Sequence, residues 1–347
     1  MKTNKQSKLL FVSALAATSF AAPTLETKAQ SHQAAHIGFV YPLSTNGTKA
    51  PNVSNTVSLH ALAGVSGGET GTAISGLATI VNGDQRGVII SGLVNTISQA
   101  AKGVQVAGLV NVLPGENTGL AIAGLTNISN STKGAMVAGL SNVTNNESNA
   151  QVSGLYNQSG ATNIQIAGLI NVAKKVKGTQ IAGLINIAEE NDCPIGFVNI
   201  IGNGEKQIGL TYDESGNSIL AFRSGGKKTY GIIGLGFNTR LEHARYALEA
   251  GFGYHAHISR QFRLNLEATA TTSTDFWDAA YYKSSFSVLA GYKFAKRIEI
   301  VAGPSFNYVN YLNGLAKYTD YSLYNFYGQR ATNSLFLGAR AGIHISI

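Results

Sequence analysis

Few residues in this chain have the types and spacing that chemistry needs. His255 and His257 lie two apart in GYHAHI, so in an extended segment both imidazoles project to one side and could share a metal ion. A zinc site asks for three or four ligands, and no Cys, Asp or Glu at ligand-like spacing completes the set. SGGKKT (Ser224 to Thr229) ends like a phosphate-binding loop, but Ala221 stands where the leading glycine belongs. GIIGLG (Gly231 to Gly236) lacks both the dinucleotide spacing and a following helix. Glu249 and His255 could pair for acid–base work, yet no serine motif in a suitable setting supplies a nucleophile. The sequence predicts no catalytic residue, no metal, no cofactor and no enzyme.

The polar residues instead fall into alternation. Arg245, Glu249, His255 and His257 occupy one side of RYALEAGFGYHAHI, with Tyr246, Leu248, Phe252 and Tyr254 on the other. The same pattern sets Arg263 and Glu267, then Lys293, then Arg297 and Glu299, and finally Arg340 and His344 against apolar neighbours. Strands of about ten residues, apolar on one side and charged on the other, are the pattern of a transmembrane β-barrel, which places these eleven residues in the lumen. Two polar segments are long enough to be external loops: TTSTDFWDAA around Trp277, and the tyrosine-rich 313–333 with Tyr318, Tyr321, Tyr324 and Tyr327. The second either folds onto the barrel rim or into the lumen, or offers rigid contact area to an extracellular ligand.

Upstream lies an internal repeat, which governs any reading of the fold. Gly-Leu pairs begin at Gly76, Gly92, Gly108, Gly124, Gly139, Gly154, Gly168 and Gly183, and variants follow at Gly196 and Gly209, with spacings that drift from 16 to 13 residues. From Gly92 to Gly196 an asparagine stands three places on: Asn95, Asn111, Asn127, Asn142, Asn157, Asn171, Asn186 and Asn199. In GVQVAGLVNV the outward set is Val104, Val106, Val110 and Val112, and the inward set is Gln105, Ala107, Leu109 and Asn111; IQIAGLINV divides into two faces in the same way, with Leu169 beside Asn171. Two architectures accommodate such strands. In an antiparallel wall, turns absorb the drift in spacing. In a β-solenoid, parallel stacking sets like on like, which accounts better for the glycine and the asparagine.

Composition narrows the setting. Only 13% of the 347 residues are charged, with 40 glycines and 6 prolines, a composition unlike that of disordered or helical chains. The net charge of +8 gives no pointer to nucleic acid, and Cys193, alone, forms no internal disulfide. MKTNKQSK followed by LLFVSALAATSFAA reads as a secretory signal, with cleavage after Ala21, Ala22 or Ala29.

The units GVQVAGLVNV, IQIAGLINVAKKVKG and TQIAGLINIAEENDCPIGFVNII resemble the GLxN "surface repeat" of bacterial outer-membrane and cell-surface proteins. HIGFVYPLSTNG and SNTVSLHALAG are similar to the lead-in of Bacteroidetes-like members. The resemblance implies a surface or outer-membrane location and brings almost no biochemistry. One departure is the final residue, Ile347, where outer-membrane barrels commonly end on an aromatic.

The expectation is an all-β protein: an antiparallel outer-membrane-type barrel of about 16–20 strands that includes the repeats, at roughly 15 residues per strand and turn. The alternative is a β-solenoid followed by antiparallel strands. The expected divisions are a signal at 1–29, lead-in strands at 30–71, repeat strands at 72–212 and membrane-type strands at 213–347. The expected role is structural or a passive pore in the outer membrane of a Gram-negative bacterium, with a surface-attached solenoid adhesin as the second reading and an outer-membrane enzyme as the weakest. Its expected partners are outer-membrane lipid, the barrel-assembly machinery and a ligand of the 313–333 loop, without nucleic acid.

Overall fold

A computed structural model describes residues 31–241, 244–276, 280–312, 322–329 and 331–347. The predicted signal and Trp277 lie outside the described residues. The chain is all-β, in two sheets: a parallel solenoid from Ser31 to Ile201 and an antiparallel barrel from Lys206 onward.

In the repeat region each unit is one coil with two short arms, for example Ala101–Ala107 and Val110–Asn117, bent at Gly108-Leu109. Successive coils pair in parallel and in register. Asn111 stands opposite Asn127, Asn127 opposite Asn142, and Ala123 opposite Ala138. The repeat strands therefore do not belong to the barrel wall, and the single barrel of 16–20 strands gives way to the solenoid alternative.

The physical reason lies at the corner. A Cβ added to Gly108 would fall on the carbonyl oxygen of Gly92, and one on Gly124 would fall on that of Gly108. The backbones meet so closely that the residue stacked on the previous corner must be glycine, as Gly76 is over Ala61, which holds each unit directly over the one before. The drift in spacing is absorbed by register shifts in the polar links at the opposite corner, as between Ser129 and Ser131 and between Thr162 and Ile164.

The bend also corrects one side-chain assignment. Gln105, Ala107 and Asn111 point inward as expected, but Leu109, like Leu169, is exposed. Alternation counts a straight strand, whereas the corner rotates the leucine outward between two inward residues four apart.

Inside, the asparagines form a ladder. Asn111 Nδ2 donates to Asn127 Oδ1 at 2.8 Å and to the carbonyl of Ile122 at 2.8 Å. Asn127 repeats this toward Asn142 and Val137, and the pattern continues to Asn199. Each side chain thus joins both arms of the next coil. Toward the polar corner the interior turns apolar, with Ile89, Ile97, Leu113 and Met136 packed together.

The barrel has eight strands: Lys206–Asp213, Asn217–Gly225, Thr229–Asn238, Tyr246–His257, Phe262–Thr274, Ala280–Lys293, Ile298–Leu312 and Ala331–Ser346. The first closes on the last, Gln207 opposite Ser346 and Asp213 opposite Arg340. Gly209, the last repeat-like glycine, is already part of this wall. Within the segment predicted as the long 313–333 loop, Ser322–Tyr327 is a strand paired with the last one. Residues 313–321 lie outside the described residues.

The ladder yields a test. Asn127→Ala removes the Nδ2 bonds to Asn142, Val137 and Ala121 and the acceptor of Asn111, at about 1–3 kcal/mol for each buried group left unpaired. Thermal or denaturant unfolding followed by circular dichroism should show destabilisation well above that of Asn130→Ala, whose side chain bonds Asn146 at an exposed link.

Candidate functional site

The barrel alternates as its sequence does, and the lumen collects the polar half. Arg223, Arg263, Lys283 and Arg340 are buried there, as are Asp213, Glu249, Glu267 and Glu299, and the part-buried Glu205 and Glu214 reach the same cations. Near the short-turn end, Arg263 holds Glu299 through Nε at 2.7 Å and through Nη2, and reaches Glu205 at 2.7 Å. In the next layer Arg223 grips Glu267 with two bonds, at 2.9 and 3.2 Å, and the Tyr230 hydroxyl donates to the same carboxylate at 3.0 Å. Arg340 then binds Glu249 at 2.7 and 3.3 Å, beside Thr271. Lys283 donates to Asp213 at 2.9 Å and Glu214 at 2.6 Å. At the far end Leu241 and Ala244 pack with Tyr281, Val309, Tyr311 and Phe336 as an apolar stopper.

Of the eleven lumen residues expected from sequence, Glu249, His255, Arg263, Glu267, Glu299, Arg340 and His344 are buried in the lumen. Lys293 is half-buried at its rim, 3.4 Å from Glu205. Arg245, His257 and Arg297 are exposed at the strand ends. His255 donates its Nδ1–H to Asn265 Oδ1 at 2.7 Å and stacks on Tyr230, while the exposed His257 meets its ring only edge-on, with centroids 6.0 Å apart. Among the described residues no three His, Cys, Asp or Glu side chains gather as a metal site would need.

Sequence reasoning missed Arg223, Lys283, Asp213, Glu205, Glu214 and Tyr230. Lys283 was within reach, because the alternation of Ser285 and Ser287 extended back by two residues turns it inward. Arg223 sits just before SGGKK, where a turn was expected and is found at Gly226–Lys228.

All eight repeat asparagines are buried. The ladder ends against the barrel: Asn199 Nδ2 donates to the carbonyl of Ser224 at 3.0 Å, and its backbone N–H to the Ser224 hydroxyl at 3.0 Å. The last coil also sets Phe197 on Phe252 of the barrel exterior, with ring centroids 5.1 Å apart. At the opposite end of the solenoid a second buried cluster joins His36, Asn55, Ser58, His60 and Glu69. The two imidazoles meet edge to face at 4.5 Å, and the Ser58 hydroxyl donates to Glu69 at 2.7 Å. Burial, aided by the charge of His36, lowers the His60 pKa to about 4. Burial also lowers that of His36 and raises that of Glu69.

Fold and interior together define a solenoid-and-barrel protein whose polar groups are turned inward. No family model, no curated protein and no solved structure matches the chain.

Two outcomes follow from these interiors. Glu267→Ala strands the Arg223 guanidinium in the lumen and should cost about 3–5 kcal/mol, read as a lower urea midpoint of unfolding. Arg223→Met with Glu267→Leu should recover much of that loss. For the histidine cluster, a folded pKa below the unfolded 6.5 means that the His60 contribution is complete above pH 6.5 and is lost as pH falls toward 4. Glu69 works in the opposite direction and offsets part of this loss; amide protection factors in residues 31–75, taken relative to the intrinsic exchange rate at each pH, should fall between pH 6.5 and 4 in wild type and fall less in His60→Gln.

Proposed function

We propose that the protein is a non-enzymatic structural component of the outer membrane of a Gram-negative bacterium, in which a plugged barrel anchors the solenoid. The observation that carries this reading is the inversion of the barrel. Leu210, Leu220, Leu235, Phe237, Leu248, Phe286, Phe306 and Leu337 face outward, while the ion pairs are enclosed. A closed wall leaves no unpaired strand edge for lipid to meet, as a hydrocarbon layer requires. Strands of 8–16 residues bracket the length such a layer needs. The predicted export signal and the likeness to GLxN surface proteins point to the same compartment.

Between a structural role and a passive pore, the filled lumen favours the former. Layers of bidentate pairs and the Leu241–Phe336 stopper occupy the path that ions would take. The short turns share one end with the solenoid junction, and such turns face the periplasm in barrels of this kind. The solenoid is then periplasmic, which leaves the outer rim as the extracellular part.

Heat-modifiable migration on a gel tests the anchor: unboiled protein should run faster than boiled, and membranes washed with carbonate should retain it. A protein in the soluble fraction with no such shift would refute the reading. Planar bilayers should show no steady conductance after verified insertion, and discrete channels would restore the pore.

A further inference from the structure

The glycine corner of the solenoid is an apolar edge that the anchor does not by itself require. Between Gly76 and Gly183 the outward leucines form one column, Leu77 to Leu184, each about 40% exposed. Isoleucine and valine columns flank it on both arms, such as Ile90, Val137 and Ile166 before the corner and Ile80, Ile128 and Val172 after it. No Lys, Arg, Asp or Glu stands within four residues of any of these eight glycines, and the charges from Asp84 to Glu190 all lie in the links of the opposite corner. Seven steps between stacked coils make the edge about 34 Å long, at ~4.8 Å per step.

Three observations say what covers this edge. First, the glycine and leucine N–H groups of the corner are paired with the coil before them. Each corner leucine donates its N–H to the leucine carbonyl of the previous coil, Leu109 to Leu93 at 2.9 Å and Leu125 to Leu109 at 3.0 Å, through to Leu184. Donors paired in this way spare the edge the cost of carrying a free N–H into hydrocarbon. Second, the edge is continuous with the outer wall of the barrel. Phe197 replaces the leucine in the last coil and stacks on Phe252, at the head of an apolar groove of about 540 Å³ that includes Ala268, Phe286 and Phe306. Third, the depth fits. Four residues on each arm at ~3.3 Å reach about 13 Å, close to half of a ~30 Å hydrocarbon layer. The adjoining barrel turns carry Lys227, Lys228, Arg260, Lys296 and Arg297 and no acid, as a rim beside anionic headgroups would.

We infer that the glycine-leucine edge is sunk lengthwise into the phospholipid leaflet on the short-turn side of the barrel, with the charged links facing water. The inference rests on the membrane reading of the barrel and extends it: the solenoid is then a monotopic element along the membrane plane. A protein partner or a second copy is disfavoured because a stacked column of near-identical side chains provides neither anchor residues nor complementary charges.

The test uses the full chain in a Cys193→Ser background, reconstituted in phospholipid vesicles and labelled at one introduced cysteine with a fluorophore. Leu109→Cys and Leu169→Cys sample the edge, Leu235→Cys the barrel wall, and Lys133→Cys the polar links, with heat-modifiable migration confirming that each variant is folded. Phospholipids brominated along the acyl chain should quench the Leu109, Leu169 and Leu235 labels several-fold more than the Lys133 label. If the Leu235 label is quenched and both edge labels behave like Lys133, the inference is overturned while the anchor stands. Efficient disulfide formation between edge cysteines of two copies overturns it in favour of self-association. If the Leu235 label also escapes quenching, the membrane reading itself fails.

Discussion

The close approach of successive backbones at the glycine corner is the constraint on which the solenoid depends. Because nothing larger than a hydrogen fits between Gly92 and Gly108, each coil must repeat its predecessor in position and direction. Parallel, in-register stacking then brings asparagine over asparagine, and a side chain with both a donor and an acceptor becomes able to bond to its own kind. The ladder is a product of the stacking and also its support, since each amide joins the two arms of the next coil. Glycine and asparagine recur together because one sets the spacing that the other uses.

Both halves of the molecule solve the same problem in different ways. Each turns polar groups inward and apolar groups outward, and each pairs most of the enclosed groups with one another, leaving such atoms as the His344 nitrogens and the Asn95 oxygen without a partner. In the solenoid the satisfaction is between neutral amides along one axis. In the barrel it is between charges across a lumen, where Arg223, Arg263 and Arg340 each hold a carboxylate with two nitrogens. Such pairs contribute less to net stability than their geometry suggests, because desolvation offsets the attraction, but removing one member leaves a charge with nowhere to go.

Much of this was legible in the sequence. Period-two alternation identified the strands, and in the C-terminal part it placed Glu249, Arg263, Glu267 and Arg340 correctly in the lumen. It misplaced Arg245, His257 and Arg297 because alternation loses meaning where a strand ends. Alternation was also blind to the choice between wall strand and solenoid arm, since Ile164, Gln165 and Ile166 read alike in both. The discriminating feature was the bend at Gly-Leu, a local departure from periodicity. Ala107 and Asn111, both inward and four apart with an exposed leucine between them, mark that bend. Ion-pair partners were beyond reach, because barrel closure brings Arg340 to Glu249 across 91 positions of sequence.

The ladder also has a direction. Every amide donates toward the barrel, the Ser224 carbonyl receives the last bond, and the Asn95 oxygen at the other end has no donor. Along the asparagine column the interior units are therefore alike: each meets an asparagine above and below, and the two termini are specialised. Adding or deleting a unit leaves the anchor and the histidine-capped end as they are and changes only the reach of the array, by about 4.8 Å each time. Length in such a protein is a quantity that duplication can adjust in steps, without redesign of either end.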